Sequence, residues 1–199
     1  MSDPLLKLHR EKICRKKRVG DWKNEKLTPL LDDHNINIIN LEIGCGHGHW
    51  LSTFAKEKPE EVFVGVDLLS KRIQKAESKV IKQQIKNLLF YKAEATEFLD
   101  FVDPRLRNTF IMYPDPWPKY RHHKRRLLQH AFLELLACKT VSKGKLFFMT
   151  DHNHYFDWSI NMILNSKFWE LSGDEWPHDG SSFFSELLPY NRFFCAKKI

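Results

Sequence analysis

No stretch of this sequence approaches the roughly 20 consecutive apolar residues that a bilayer-crossing helix needs, so no membrane partner is expected. The amino terminus, residues 7–18, is basic but lacks the apolar run of a secretory signal, which leaves a cytoplasmic location as the expectation. Cysteine is sparse: Cys14, Cys45, Cys138 and Cys195 stand far apart with no C-x-x-C pair. That spacing suggests neither a zinc knuckle nor a disulfide framework, and free thiols are expected. Internal repeats and low-complexity tracts are also missing. The 199 residues suit one domain of 21–199 with a basic arm over 1–20, and they are enough to bury a full core.

Acidic residues are nearly absent from two short stretches. In the arm, Lys7, Arg10, Lys12, Arg15, Lys16, Lys17 and Arg18 face only Glu11. Further on, Lys119, Arg121, Lys124, Arg125 and Arg126 fall within eight residues without an acid. Together these hold 12 of the 32 Lys and Arg residues and 1 of the 25 Asp and Glu residues, so the rest of the chain is mildly acidic although the whole carries a net +7. Charge gathered in this way suits a polyphosphate partner, because each neutralised phosphate releases condensed counterions.

What is present is an alternation of strand and helix patterns. Residues 38–43 read as an apolar strand, followed by a glycine turn and a helix over 49–56. A second strand, 62–67, ends on Asp67, and 71–86 is amphipathic, with Ile73, Ala76 and Val80 on one face. Strands at 88–91, 110–113 and 146–150, with a helix over 125–139 between the last two, complete the pattern. It predicts a mostly parallel sheet with helices on both faces, closed by a C-terminal antiparallel hairpin drawn from Phe183, Phe184 and residues 192–196.

Such a sheet binds ligands at the carboxyl ends of its strands, where the segment Glu42-Ile43-Gly44-Cys45-Gly46-His47-Gly48 lies. Gly44, Gly46 and Gly48 permit a sharp turn and a close backbone approach to a ligand. Their G-x-G-x-G spacing departs from the G-x-G-x-x-G of dinucleotide sites. Glu42 in front of the turn would repel a pyrophosphate, but it suits S-adenosylmethionine with its sulfonium and α-ammonium groups. Asp67 is placed to accept both hydroxyls of a ribose, and Glu94, after the third strand, to accept from the adenine amine. Cys45, His47 and His49 alternate with glycines on a tight loop that is badly shaped for tetrahedral coordination, so no metal is expected.

After the fourth strand the chain reads Tyr-Pro-Asp-Pro-Trp-Pro-Lys-Tyr-Arg-His-His-Lys-Arg-Arg over residues 113–126. Three prolines within five residues make this a stiff, non-helical loop that fixes Asp115 and Trp117. Five cations follow at the expected ligand rim, with His122 and His123 extending the basic surface. Guanidinium forks grip phosphate, and an aromatic ring stacks on an extruded base.

Leu-Glu-Ile-Gly-Cys-Gly-His-Gly, Gly65-Val66-Asp67 and the 114–126 segment together resemble the bacterial tRNA (guanine-N(7)-)-methyltransferases, over residues 41–151. The resemblance implies a Rossmann-like class I fold, S-adenosylmethionine as methyl donor, and tRNA as partner, methylated at guanine N7 in the variable loop, at position 46. It also implies that Glu42, Asp67, Glu94 and Asp115 contact the cofactor, with Asp115 catalytic. Lys119 and Asp151 would contact the substrate, and Arg121, His122, His123, Lys124, Arg125 and Arg126 the RNA. Near the C-terminus the family carries Thr-x-x-Glu, where this chain has Ser181-Ser182-Phe183-Phe184-Ser185-Glu186. Ser182 takes the Thr position; Ser185 stands at the Glu position, and Glu186 fills it after a one-residue shift. A monomer or weak homodimer is expected. Methylation of an exocyclic amine, an RNA-binding factor on a vestigial cofactor fold, and a nicotinamide dehydrogenase remain as alternatives. The intact acids disfavour the second, and Glu42 with its glycine spacing disfavours the third.

Overall fold

A computed structural model describes residues 4–178 and 191–199 of the chain. Two short apolar runs make its centre, β1 (Ile39–Ile43) and β2 (Val62–Asp67), each buried at every position. Burial on both faces is what turns a parallel strand into a nearly continuous apolar run instead of an alternating one. β3 (Leu88–Lys92), β4 (Leu106–Met112) and β5 (Thr140–Thr150) extend the parallel part, and β7 (Arg192–Lys198) pairs antiparallel with both β5 and β6 (Trp169–Ser172). The order is β3-β2-β1-β4-β5-β7-β6, so the direction of winding reverses between β1 and β4. A crevice at the carboxyl ends forms at such a reversal.

Side chains of alternating direction split the core in two. On one face Leu41, Val64, Ile111, Phe148 and Phe194 pack under α5 (Ala95–Val102), α6 (His130–Lys139) and α7 (Asn153–Leu164). On the other, Phe63, Phe90, Phe110 and Phe147 pack under α3 (His49–Glu57) and α4 (Ser70–Gln83). Gly65 makes the second face possible: a β-carbon there would stand 2.5 Å from the Phe90 ring.

Several boundaries differ from expectation. β4 starts at Leu106, four residues early, because its polar residues find partners: Asn108 donates to the buried Asn40 (2.8 Å), which donates to Glu61 (2.7 Å). β5 starts at Thr140 and includes an irregularity at Lys143, whose φ is +63°. α6 begins at His130 instead of 125; residues Tyr120–Arg125 form a 3-10 turn, and a run of cations is opposed by the positive dipole end of a helix. α5, α7 and β6 carry no expectation from the sequence, and β6 is the partner of β7 in the C-terminal hairpin. Phe183 and Phe184 lie outside the described residues.

The boundary expected at residue 20 falls inside α1 (Pro4–Trp22), which is followed by a π-helical turn and α2 (Thr28–Asp33). The second half of α1 docks on the domain. Val19 is buried, Arg15 donates to Glu97 at 2.9 Å, and Trp22 lies 4.6 Å from the Tyr91 ring.

Candidate active site at the carboxyl edge of the sheet

The glycine turn leaves β1 through three left-handed residues, Gly44, Gly46 and Gly48, at φ of +79°, +55° and +64°. Only glycine adopts this region without a steric penalty. The three are not equivalent. A β-carbon on Gly48 would sit 2.3 Å from the Phe90 ring, so this glycine is required by packing. Around Gly44 and Gly46 a β-carbon would meet nothing within 4 Å, which leaves open space beside the turn. The turn is tied to β2 by Gly44 and Cys45 amides donating to the Val66 carbonyl at 2.8 and 3.0 Å.

Glu42 lies beneath this turn, between Gly65 and Phe110 in the register of its neighbouring strands, with 4% of its surface exposed. Its Oε2 has no hydrogen-bond partner among the described residues. Burial, and then the charge of Asp67, push its carboxyl up to about 8, while Lys79 pulls it the other way. A sealed carboxylate with an unmet oxygen is costly unless a cation or donor reaches it. Lys79 only partly answers, because its Nζ is committed to the His47 carbonyl at 3.1 Å.

Asp67, at the end of β2, is buried and already accepts three bonds: from the amides of Leu69 (2.8 Å) and Gly46 (3.1 Å) and from Arg72 (3.3 Å). One carboxylate therefore fixes the glycine turn and the start of α4 together. Glu94 caps α5, accepting from the Glu97 amide at 3.0 Å and from the Thr96 hydroxyl. Asp115 follows β4 and is exposed, as is Asp151 after β5. All five acids thus stand on one edge of the sheet. Arg72 and Lys79, absent from the sequence-based set, belong to this group; their signal was a position on the face of α4 that carries Ile73 and Ala76, which turns them toward the glycine turn. Burial, and then Lys75, Arg72 and Lys79, keep the His47 imidazole below its ordinary range.

The proline-rich loop is held in an uncommon shape. Tyr113 and Trp117 adopt φ of +50° and +45°, rare for bulky side chains, on either side of residues 114–116. Lys119, Arg121, Lys124 and Arg125 are exposed, and His122 and His123 are partly so. The Arg125 guanidinium lies over the Trp117 ring at 4.9 Å, and His122 meets the same ring edge-on at 5.8 Å. Arg126 departs from this exposed set: it is only 2% exposed and faces the protein. Ser182, Ser185 and Glu186 lie outside the described residues.

The arrangement fits a cationic nucleoside cofactor. Glu42 offers a buried oxygen without a partner, two glycines leave the turn open, and Asp67 and Glu94 stand at the ends of the next two strands. Among the described residues no cluster of three or more His, Cys, Asp or Glu is arranged to hold a metal, and no helix is long and apolar enough to cross a membrane.

Comparison with known proteins agrees with this chemistry. A family described as putative methyltransferases matches residues 37–188. A tRNA (guanine-N(7)-)-methyltransferase of Brevibacillus brevis is 33% identical over 150 residues, covering 75% of this chain and 67% of that protein. One from Pediococcus pentosaceus is 32% identical over 166 residues, covering 81% and 74%. Across such relatives the match spans from 52% to 74% of the relative's own length. Among solved structures, the antibiotic-resistance methyltransferase Kmr superposes with a TM-score of 0.61 at 16% identity, covering 89% of this chain and 93% of that one, a likeness of fold.

Proposed function

The chain belongs to the family of tRNA (guanine-N(7)-)-methyltransferases, and on that premise we propose that it moves the methyl group of S-adenosylmethionine to N7 of a guanosine in tRNA, at position 46 of the variable loop. The observation that carries the reading is Glu42, a carboxyl group closed under the glycine turn with an oxygen left unmet. That is a site prepared for a ligand bearing positive charge. S-adenosylmethionine, when bound, supplies an electrophilic methyl on a sulfonium centre. Glu42 faces the cationic end, Gly44 and Gly46 admit the ligand against the backbone, and Asp67 and Glu94 receive the ribose hydroxyls and the adenine amine. Asp67 and Glu94 also hold the turn and cap α5, so their carboxylates are oriented before any ligand arrives.

Guanine N7 presents a lone pair at neutral pH, so no base has to remove a proton before attack. Positioning and electrostatics are what the protein supplies. Asp115 stands at the rim where positive charge develops on the alkylated ring, and it stabilises that charge as the bond to N7 forms. Lys119 and Asp151 orient the base, while Arg121, His122, His123, Lys124 and Arg125 hold the phosphates and Trp117 provides a stacking face. Ser182, Ser185 and Glu186 contribute to the substrate side. In the same proposal the enzyme works in the cytoplasm, without a metal, as a monomer or weak homodimer.

The test is a defined tRNA transcript carrying guanosine at position 46, beside one with adenosine there. Label from S-adenosylmethionine is expected in the first alone; equal labelling of both contradicts the assigned position.

A further inference from the structure

Arg126 is a buried cation at the rim for which the proposed chemistry has no task. Its Nε donates to the Pro116 carbonyl at 2.9 Å, and its Nη2 meets His154 Nδ1 at 3.2 Å, a contact in which a neutral imidazole accepts. The guanidinium carbon lies over the rings of Tyr155 and Trp158 at 4.9 and 5.1 Å. His154, Tyr155 and Trp158 all come from the first turns of α7. No carboxylate pairs with Arg126 among the described residues, and its Nη1 has no partner there. A charge so placed is tolerated because a carbonyl, an imidazole and two aromatic faces replace water around it.

The loop it holds cannot anchor itself. Pro114, Pro116 and Pro118 have no N–H to donate, and the Pro116 carbonyl is held by a donor from outside the loop. Left-handed Tyr113 and Trp117 bracket it in a conformation that the surroundings have to maintain. The two neighbouring arginines face opposite ways: Arg125 is exposed and stacks on Trp117 from the outside, whereas Arg126 grips the carbonyl next to Asp115 from within.

We propose that Arg126 is a positioning residue, a clamp that ties the 114–118 loop to α7 and thereby fixes where the Asp115 carboxylate stands over the base. What Asp115 does there rests on the guanine-N7 reading; that Arg126 holds the loop rests on geometry alone. A fork of donors suits the task, because the same group reaches a carbonyl and an imidazole while lying flat on two rings. A lysine ammonium cannot do all three.

The test compares Arg126→Lys and Arg126→Gln with the native enzyme by steady-state tRNA methylation, calorimetry with S-adenosylmethionine, and hydrogen exchange over residues 113–119. Expected for both variants are a kcat lowered at least about ten-fold, KM for tRNA and cofactor affinity within about two-fold, and faster exchange of the loop amides. Combining Arg126→Lys with Asp115→Asn should lower kcat no further than Asp115→Asn alone, since both act through one carboxylate. Should Arg126→Gln fold poorly, Trp158→Leu loosens the same clamp and should move kcat and exchange in the same direction. A raised KM for tRNA with unchanged kcat would overturn the proposal in favour of an RNA contact. Native kcat together with native exchange would overturn it outright. If the native enzyme itself fails to make 7-methylguanosine, the functional reading falls, and the exchange rates still decide whether Arg126 clamps the loop.

Discussion

Glu42 shows how burial sets the charge of one side chain. Its carboxyl is raised from 4.5 to about 8, chiefly by burial and then by Asp67. Between those values the folded, cofactor-free protein holds a proton that the unfolded chain has released. Stability therefore falls as pH rises through this window, by up to about 1.4 kcal/mol per pH unit. Glu42→Gln removes the titration, so urea denaturation at pH 5.5 and pH 8 should show a flatter dependence for that variant than for the native protein. Parallel curves would contradict the assignment. A cationic ligand reverses the preference of the carboxyl, so S-adenosylmethionine should bind with proton release near neutral pH, seen by calorimetry in buffers of different ionisation enthalpy. The place of Glu42 at the end of a strand, two residues before G-x-G-x-G, was legible in the sequence; its burial and its unmet oxygen were not. For Arg72 and Lys79 the apolar stripe of α4 marks the face they share, but not the atoms they reach, the Asp67 carboxylate and the His47 carbonyl.

The elements were legible where burial matches periodicity. β1, β2 and α4 emerged close to their observed limits because continuous apolar runs and a 3.6-residue stripe signal their own burial. β4 and β5 were read short because Asn108, Thr109 and Lys145 are polar yet sit in strands, and the partners of Asn108 and Lys145, Asn40 and Asp174, come from distant chain segments. The basic run misled in the opposite direction. Arg125 and Arg126 looked continuous with α6, but Arg126 turns inward to Pro116 and the helix waits for Gln129 as its cap. Helix α1 divides between two tasks: Arg15, Val19 and Trp22 dock it, while Lys7, Arg10 and Lys12 remain exposed. Reversing these three lysine and arginine residues to glutamate should leave the melting temperature within a few degrees. The slope of log affinity for tRNA against log salt should shrink by about three, close to one for each phosphate that is no longer neutralised. An unchanged slope would remove α1 from the RNA-facing surface.

At the scale of the whole molecule, the strand order β3-β2-β1-β4-β5-β7-β6 places the ends of five parallel strands on one edge. Glu42, Asp67, Glu94, Asp115 and Asp151 reach that edge from separate parts of the chain, and the exposed cations of residues 119–125 border it. An edge carrying acids beside a surface carrying cations suits the proposed transfer from a cationic cofactor to a polyanionic substrate. The most direct measurement is incubation with bulk tRNA and labelled S-adenosylmethionine, followed by digestion and identification of the labelled nucleoside. The account predicts 7-methylguanosine for the native enzyme, falling about 100-fold in rate for Asp115→Ala while cofactor binding persists. Label in any other nucleoside, or an undiminished rate in that variant, would contradict it.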